Sequence, residues 1–144
     1  MTESKYIHNS HNVSNIVYHI VCPTKYRRIV ITKPVDKSLK EICDGIELRY
    51  NWIQFLEIGT DKDHVHFLVQ PTPNHAPSDI ARTIKSITAQ RIFNEHPEVK
   101  KKLWGGNFWS EGFFVSTVGK FSSENAIINY VRNQGNEKDY VRLK

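Results

Sequence analysis

Asp63-His64-Val65-His66-Phe67-Leu68-Val69 alternates in steps of two. Val65, Phe67 and Val69 fall on one side of an extended chain, with His64, His66 and Leu68 on the other. That is the pattern of a strand with two unlike faces. Residues i and i+2 of a strand point the same way, their Cα atoms roughly 6–7 Å apart. Two imidazoles so placed can converge on one metal ion. An apolar strand that exposes two imidazoles carries a cost unless they find partners.

The neighbouring segments extend this strand into a sheet. Gly59-Thr60-Asp61-Lys62-Asp63 reads as the turn before it, and residues 52–58 as the strand before that turn. Further upstream, Val35, Leu39, Ile42 and Ile46 repeat at helical spacing after Thr32 and Pro34, which mark a helix start. Residues 15–22 form a first strand closed by Pro23. Downstream, Ser78 is the expected cap of a second helix striped by Ile80, Ile84 and Ile87, with Ala81 and Ile92 alongside. A Gly- and Trp-rich passage over 104–112 leads to a fourth strand over 113–118, and Ser122 or Ser123 can open a last helix ending near Gly135. The order β-α-β-β-α-β plus one helix predicts an α+β, ferredoxin-like antiparallel sheet with both helices on one face. Its first and third strands are central, so His64 and His66 are expected mid-sheet.

Residues 1–13 read as a polar arm and 14–144 as one domain, a size that supports a real core. No apolar run approaches the roughly 20 residues of a membrane span. The opening Met1-Thr2-Glu3-Ser4-Lys5 lacks a signal peptide's apolar stretch. Cys22 and Cys43 have neither metal spacing nor a disulfide framework, so a cytoplasmic location is expected. The net charge of +5 favours a polyanionic partner. Lys25-Tyr26-Arg27-Arg28 and Lys100-Lys101-Lys102 before Leu103-Trp104 interleave cations with aromatics, a composition that suits single-stranded nucleic acid. A solvated surface is the plainer reading of either cluster alone.

Sixty-odd residues after the histidines, Tyr130 and Gln134 stand at i, i+4 and share a helix face. A phenol with its ordinary pKa of about 10 is a poor nucleophile at neutral pH. A divalent ion beside it favours the phenolate and polarises a phosphate. Gln134 offers a neutral oxygen ligand, and Glu57, Asp61 or Asp63 could also complete the site. Two imidazoles and an amide leave the ion's charge largely uncompensated, which suits an anionic phosphodiester and points to Mg²⁺ or Mn²⁺ with open water positions. His19 lies near the site by fold logic as a structural residue. Packing is the expected job of most of Trp104, Phe108, Trp109, Phe113 and Phe114.

These segments together resemble one family, the single-tyrosine HUH transposases of small palindrome-ended bacterial and archaeal insertion sequences. The resemblance is carried by Tyr18-His19-Ile20-Val21 with Lys25-Tyr26-Arg27-Arg28, by Asp63 to Leu68, by Ile84-Lys85-Ser86, by Leu103-Trp104 with Phe108 to Phe114, and by Tyr130 and Gln134. It implies that His64, His66 and Gln134 hold Mg²⁺ or Mn²⁺ and that Tyr130 attacks a phosphodiester of single-stranded DNA. The products are a 5′-phosphotyrosine and a 3′-hydroxyl, and another 3′-hydroxyl then reverses the step. The implied substrate is an element end folded into a subterminal hairpin. The implied assembly is a homodimer in which one chain's tyrosine helix completes the other's histidine site. Lys25, Arg27, Arg28, Arg82 and Lys85 are the candidate DNA contacts, with helix solvation the plain alternative for the last two.

Three other readings compete. A domesticated relative would cut chromosomal palindromes. A non-catalytic single-stranded nucleic-acid-binding module leaves His64, His66, Tyr130 and Gln134 unexplained. A zinc hydrolase built on His-x-His leaves Tyr130 idle.

Overall fold

The computed structural model describes residues 16–72 and 74–118. The elements run β1 (Val17–Pro23), α1 (Lys33–Arg49), β2 (Ile53–Thr60), β3 (His64–Pro71), α2 (Pro77–Glu95), α3 (Pro97–Lys102) and β4 (Phe114–Val118). A single 3₁₀ turn at Lys25–Arg27 follows β1. The four strands form one sheet in the order β2-β3-β1-β4, antiparallel throughout. This is the expected ferredoxin-like α+β arrangement, with β1 and β3 central.

Alternation along the strands divides the sheet into two unlike faces. Ile20 and Cys22 of β1 and Val65, Phe67 and Val69 of β3 join a core with Val35, Leu39, Ile42 and Ile46 of α1 and Ile80, Ala81, Ile84 and Ile92 of α2. Both helices therefore cover one face. Opposite are His19 and Val21 of β1 and His64, His66 and Leu68 of β3, brought together by the pairings His19 with Leu68 and Val21 with His66. Across β3, His66 is opposite Gly59 of β2, which adds no side chain there. A register shift between Phe55 and Glu57 bends β2 just before this point.

Two boundaries differ from the sequence reading for identifiable reasons. α2 begins two residues earlier than a Ser78 cap would place it. Pro77 fits the first helical position, where its missing N–H costs nothing, so Ala76 becomes the cap residue. Strand β2 runs to Thr60, two residues into the expected turn, because His64, Val65 and His66 start pairing at once and carry Gly59 and Thr60 into the ladder. Helix α3 was hidden in the lysine run. The expected last helix and the arm at 1–13 lie outside the described residues.

Candidate active site

His64 and His66 are buried, at 4% and 1% exposure, where the strand pattern alone suggested exposed imidazoles. Their ring centroids lie 5.0 Å apart with the planes inclined at 68°. Each ring is held at Nδ1, by different chemistry. His64 Nδ1 meets Asp63 Oδ1 at 2.7 Å. Asp63 Oδ2 in turn accepts from Arg27 Nε and Nη2, each at 3.2 Å. The chain guanidinium–carboxylate–imidazole fixes the His64 tautomer with its proton on Nδ1 and its lone pair on Nε2, the form a metal ligand requires.

His66 Nδ1 lies 3.1 Å from His19 Nε2, across 47 residues of sequence. The two ring planes differ by 7° with centroids 5.3 Å apart, so the rings meet edge to edge in nearly one plane. When His66 donates in this contact its lone pair is on Nε2, matching His64. Burial pushes His66 down to about 2, with the neighbouring His64 and His19 adding to the effect. Burial alone pushes His19 down to about 4. Both rings are therefore neutral at physiological pH, as ligands must be.

Two buried imidazoles with anchored Nδ1 atoms fit a divalent cation, and among the described residues no third His, Cys, Asp or Glu joins them. Asp63 turns one oxygen to His64 and the other to Arg27, and Asp61 Oδ1 accepts from the Lys62 N–H. Asp61 and Asp63, two of the carboxylates considered as third ligands, thus have other tasks, and the described residues hold no closed zinc cage. Tyr130 and Gln134 fall outside the described residues.

The expected DNA contacts separate into distinct environments. Lys25, Arg27 and Arg28 lie on the turn after β1. That turn is tied to the β2–β3 turn by Thr24 N–H to Asp63 O at 2.9 Å, and to the aromatic passage by Lys25 N–H to Phe108 O at 2.8 Å. Arg27 is engaged with Asp63, so its first task is to orient the histidine strand. Arg82 is exposed beside Asp79 at 3.4 Å. Lys85 Nζ donates to the carbonyls of Ser110, Glu111 and Gly112 at 2.8, 2.9 and 3.1 Å. Three carbonyls use all three ammonium protons, so Lys85 clamps the loop before β4. Its pKa is lowered, first by burial.

Phe108 and Trp109 are core residues, Trp109 donating from Nε1 to Thr88 Oγ1 at 2.9 Å. The sequence reading missed Asp63 and His19 as orienting groups. An acid immediately before the first histidine was a visible sign of the former. The latter required the strand register.

Fold and site together define an α+β protein that holds an anchored histidine pair on the side of its sheet opposite α1 and α2. The chain matches the family described as "Transposase IS200 like" over residues 12–134 and belongs to it. It is thus a DNA transposase, a strand-transfer enzyme by family. It is 33% identical over 122 residues to the ISDra2 transposase TnpA of Deinococcus radiodurans, covering 85% of this chain and 86% of that protein. It is 28% identical over 129 residues to the transposase for insertion sequence element IS200 of Salmonella typhimurium, covering 87% and 80%. A crystal structure assigned as a Deinococcus radiodurans transposase superposes with a TM-score of 0.71 at 31% identity, over 89% of this chain and 97% of that one. The REP-associated tyrosine transposase, solved bound to a REP hairpin, shares the fold with a TM-score of 0.60 at 12% identity, over 95% and 73%. No helix among the described residues is long and apolar enough to cross a membrane.

Proposed function

We propose that this chain is a metal-dependent transposase that cuts and rejoins single-stranded DNA through Tyr130. The observation that carries the reading is the pair His64 and His66, both buried and each anchored at Nδ1. His64, His66 and Gln134 would hold Mg²⁺ or Mn²⁺. When bound, the cation withdraws charge from the phosphate oxygens and eases nucleophilic attack.

The Tyr130 oxygen attacks phosphorus and loses its proton. The P–O3′ bond breaks and the 3′-oxygen is protonated, leaving the 5′-phosphate esterified to the tyrosine. An incoming 3′-hydroxyl then displaces the phenol, so one phosphodiester replaces another and no external energy enters. A hairpin next to the cleaved end is the proposed recognition element. The fold relative solved with a REP hairpin supports this choice. Element ends are the proposed substrate, with chromosomal palindromes the alternative.

The test is incubation of the protein with a labelled hairpin-bearing strand and Mn²⁺, followed by denaturing electrophoresis. Wild type should form a covalent adduct. Tyr130→Phe should bind the strand and form none, and an adduct mapped to another tyrosine would refute the assignment. We further propose a homodimer whose sites are shared between chains. Mixing His66→Ala with Tyr130→Phe subunits should then restore the adduct, because one site of each heterodimer carries both intact groups. Confirmed heterodimers without rescue would exclude sharing.

A further inference from the structure

Among the described residues, three other than glycine have left-handed backbone: Tyr26 (φ 59°), Arg27 (φ 53°) and Trp104 (φ 56°). They come from segments nearly eighty residues apart and meet in one patch. Trp104 is in the position that glycine usually takes after a helix. The Gly105 N–H returns to Lys100 O at 2.8 Å and the Trp104 N–H to Lys101 O at 3.1 Å, the paired bonds that end a helix through a left-handed residue. A tryptophan there carries strain, and packing does not explain it, because the side chain is 70% exposed. Tyr26 is 62% exposed. Residues kept both strained and exposed cluster at ligand clamps.

The patch has the chemistry of a stacking surface. The Tyr26 and Trp104 rings are 5.7 Å apart at 53°. The Arg28 guanidinium lies 4.3 Å from the Trp104 ring centre and Lys25 Nζ 5.3 Å from that of Tyr26. Lys102 and Ile29 border the same groove of about 780 Å³, whose lining includes no acid. An exposed aromatic pair set among cations fits a ligand of flat rings joined by anions. The patch is also tied to the histidine pair, since Arg27 at its edge bonds Asp63, which bonds His64.

We infer that Tyr26 and Trp104 form a stacking platform for unpaired DNA bases, with Arg28, Lys25 and Lys102 on the flanking phosphates. The inference rests on the single-stranded DNA reading given above and assigns it a subsite on this chain. Neither sequence cluster identifies that subsite alone, because the platform exists only where the turn after β1 meets the end of α3.

The test compares two probes at fixed ionic strength, an oligothymidylate and an abasic strand of equal length, by fluorescence anisotropy. Trp104→Ala and Tyr26→Ala should each weaken binding of the oligothymidylate about tenfold, within the range for loss of one base stack. Binding of the abasic strand should not change. Trp104→Phe and Tyr26→Phe should restore most of the loss. Equal losses on both probes would mean that the rings only seat the cations, and would overturn the platform. So would unchanged binding of both, or a shift in sedimentation of DNA-free protein showing that a second copy covers the patch. Both side chains are exposed, and a thermal melt confirms that each variant is folded. Adduct formation by wild type is scored separately. An adduct without stacking rejects only the platform, and stacking without an adduct rejects only the strand-transfer reading.

Discussion

The two faces of the same four strands follow opposite rules. Facing the helices, Ile20, Val65, Phe67 and Val69 are apolar and buried, and an apolar side chain of the right volume satisfies each position. On the other face, His19, His64 and His66 are buried as well, yet each is held by a specific atom of a neighbour. Burial therefore does not separate core from site. The type of partner does. The helix face is a volume problem, tolerant of exchange, whereas the histidine face is a hydrogen-bond problem in which one changed atom reorients a ring.

Substituting adjacent residues on the two faces gives the largest contrast. His66→Ala should reduce strand cleavage below detection while the protein still folds, because it removes a proposed metal ligand. Phe67→Ala, one residue along, should cost about 3–5 kcal/mol of stability, the usual price of emptying an aromatic core position. Cleavage assays beside urea melts check both. A Phe67→Ala variant that melts like wild type, or a His66→Ala variant that cleaves normally, would break the distinction.

Acid should expose the histidine face next. The folded pKa of His19 lies near 4, below the 6.5 of an unperturbed histidine, so on acidification the unfolded chain takes up its proton first. Stability is full above about pH 6.5 and falls between there and about pH 4. Linkage gives a loss of about 2 kcal/mol by pH 5 from this group. His66 adds in the same direction. Metal-free urea melts across this range should show the slope, and His19→Gln should flatten part of it. A slope unaltered by that change would mean that His19 is not the group responsible.

The smallest expected effect distinguishes the two histidines from each other. Asp63→Asn keeps the shape but replaces an anionic acceptor by a neutral one, and should weaken Mn²⁺ binding about tenfold, the lower end for such partners. Titration followed by the Mn²⁺ paramagnetic resonance signal measures this without any DNA. Unchanged Mn²⁺ affinity would leave Asp63 a purely structural link to Arg27.

The helix face was legible because its signals are local. Val35, Leu39, Ile42 and Ile46 repeat at helical spacing and are all buried on α1, and the alternation through Val69 placed β3 correctly. The histidine pair was legible for the same reason. Its supports were not. The contact between His19 and His66 depends on the register of β1 against β3, which no spacing along the chain encodes. What Lys85 and Arg27 hold within the chain was not legible either, because a sequence shows a cation and not what it touches. Lys85 holds three carbonyls, and Arg27 a carboxylate. Helix α3 was missed although Pro97 stood at its first position, since six residues give too little periodicity to read.

The left-handed tryptophan after α3 also sets a direction for laboratory evolution. Trp104→Gly would relieve the backbone and improve the helix ending, a gain of about 1 kcal/mol. Screening a library of this transposase for heat resistance alone would thus enrich glycine at that position. Screening the same library for mobility of its DNA would retain the aromatic, so the two selections should diverge at this residue.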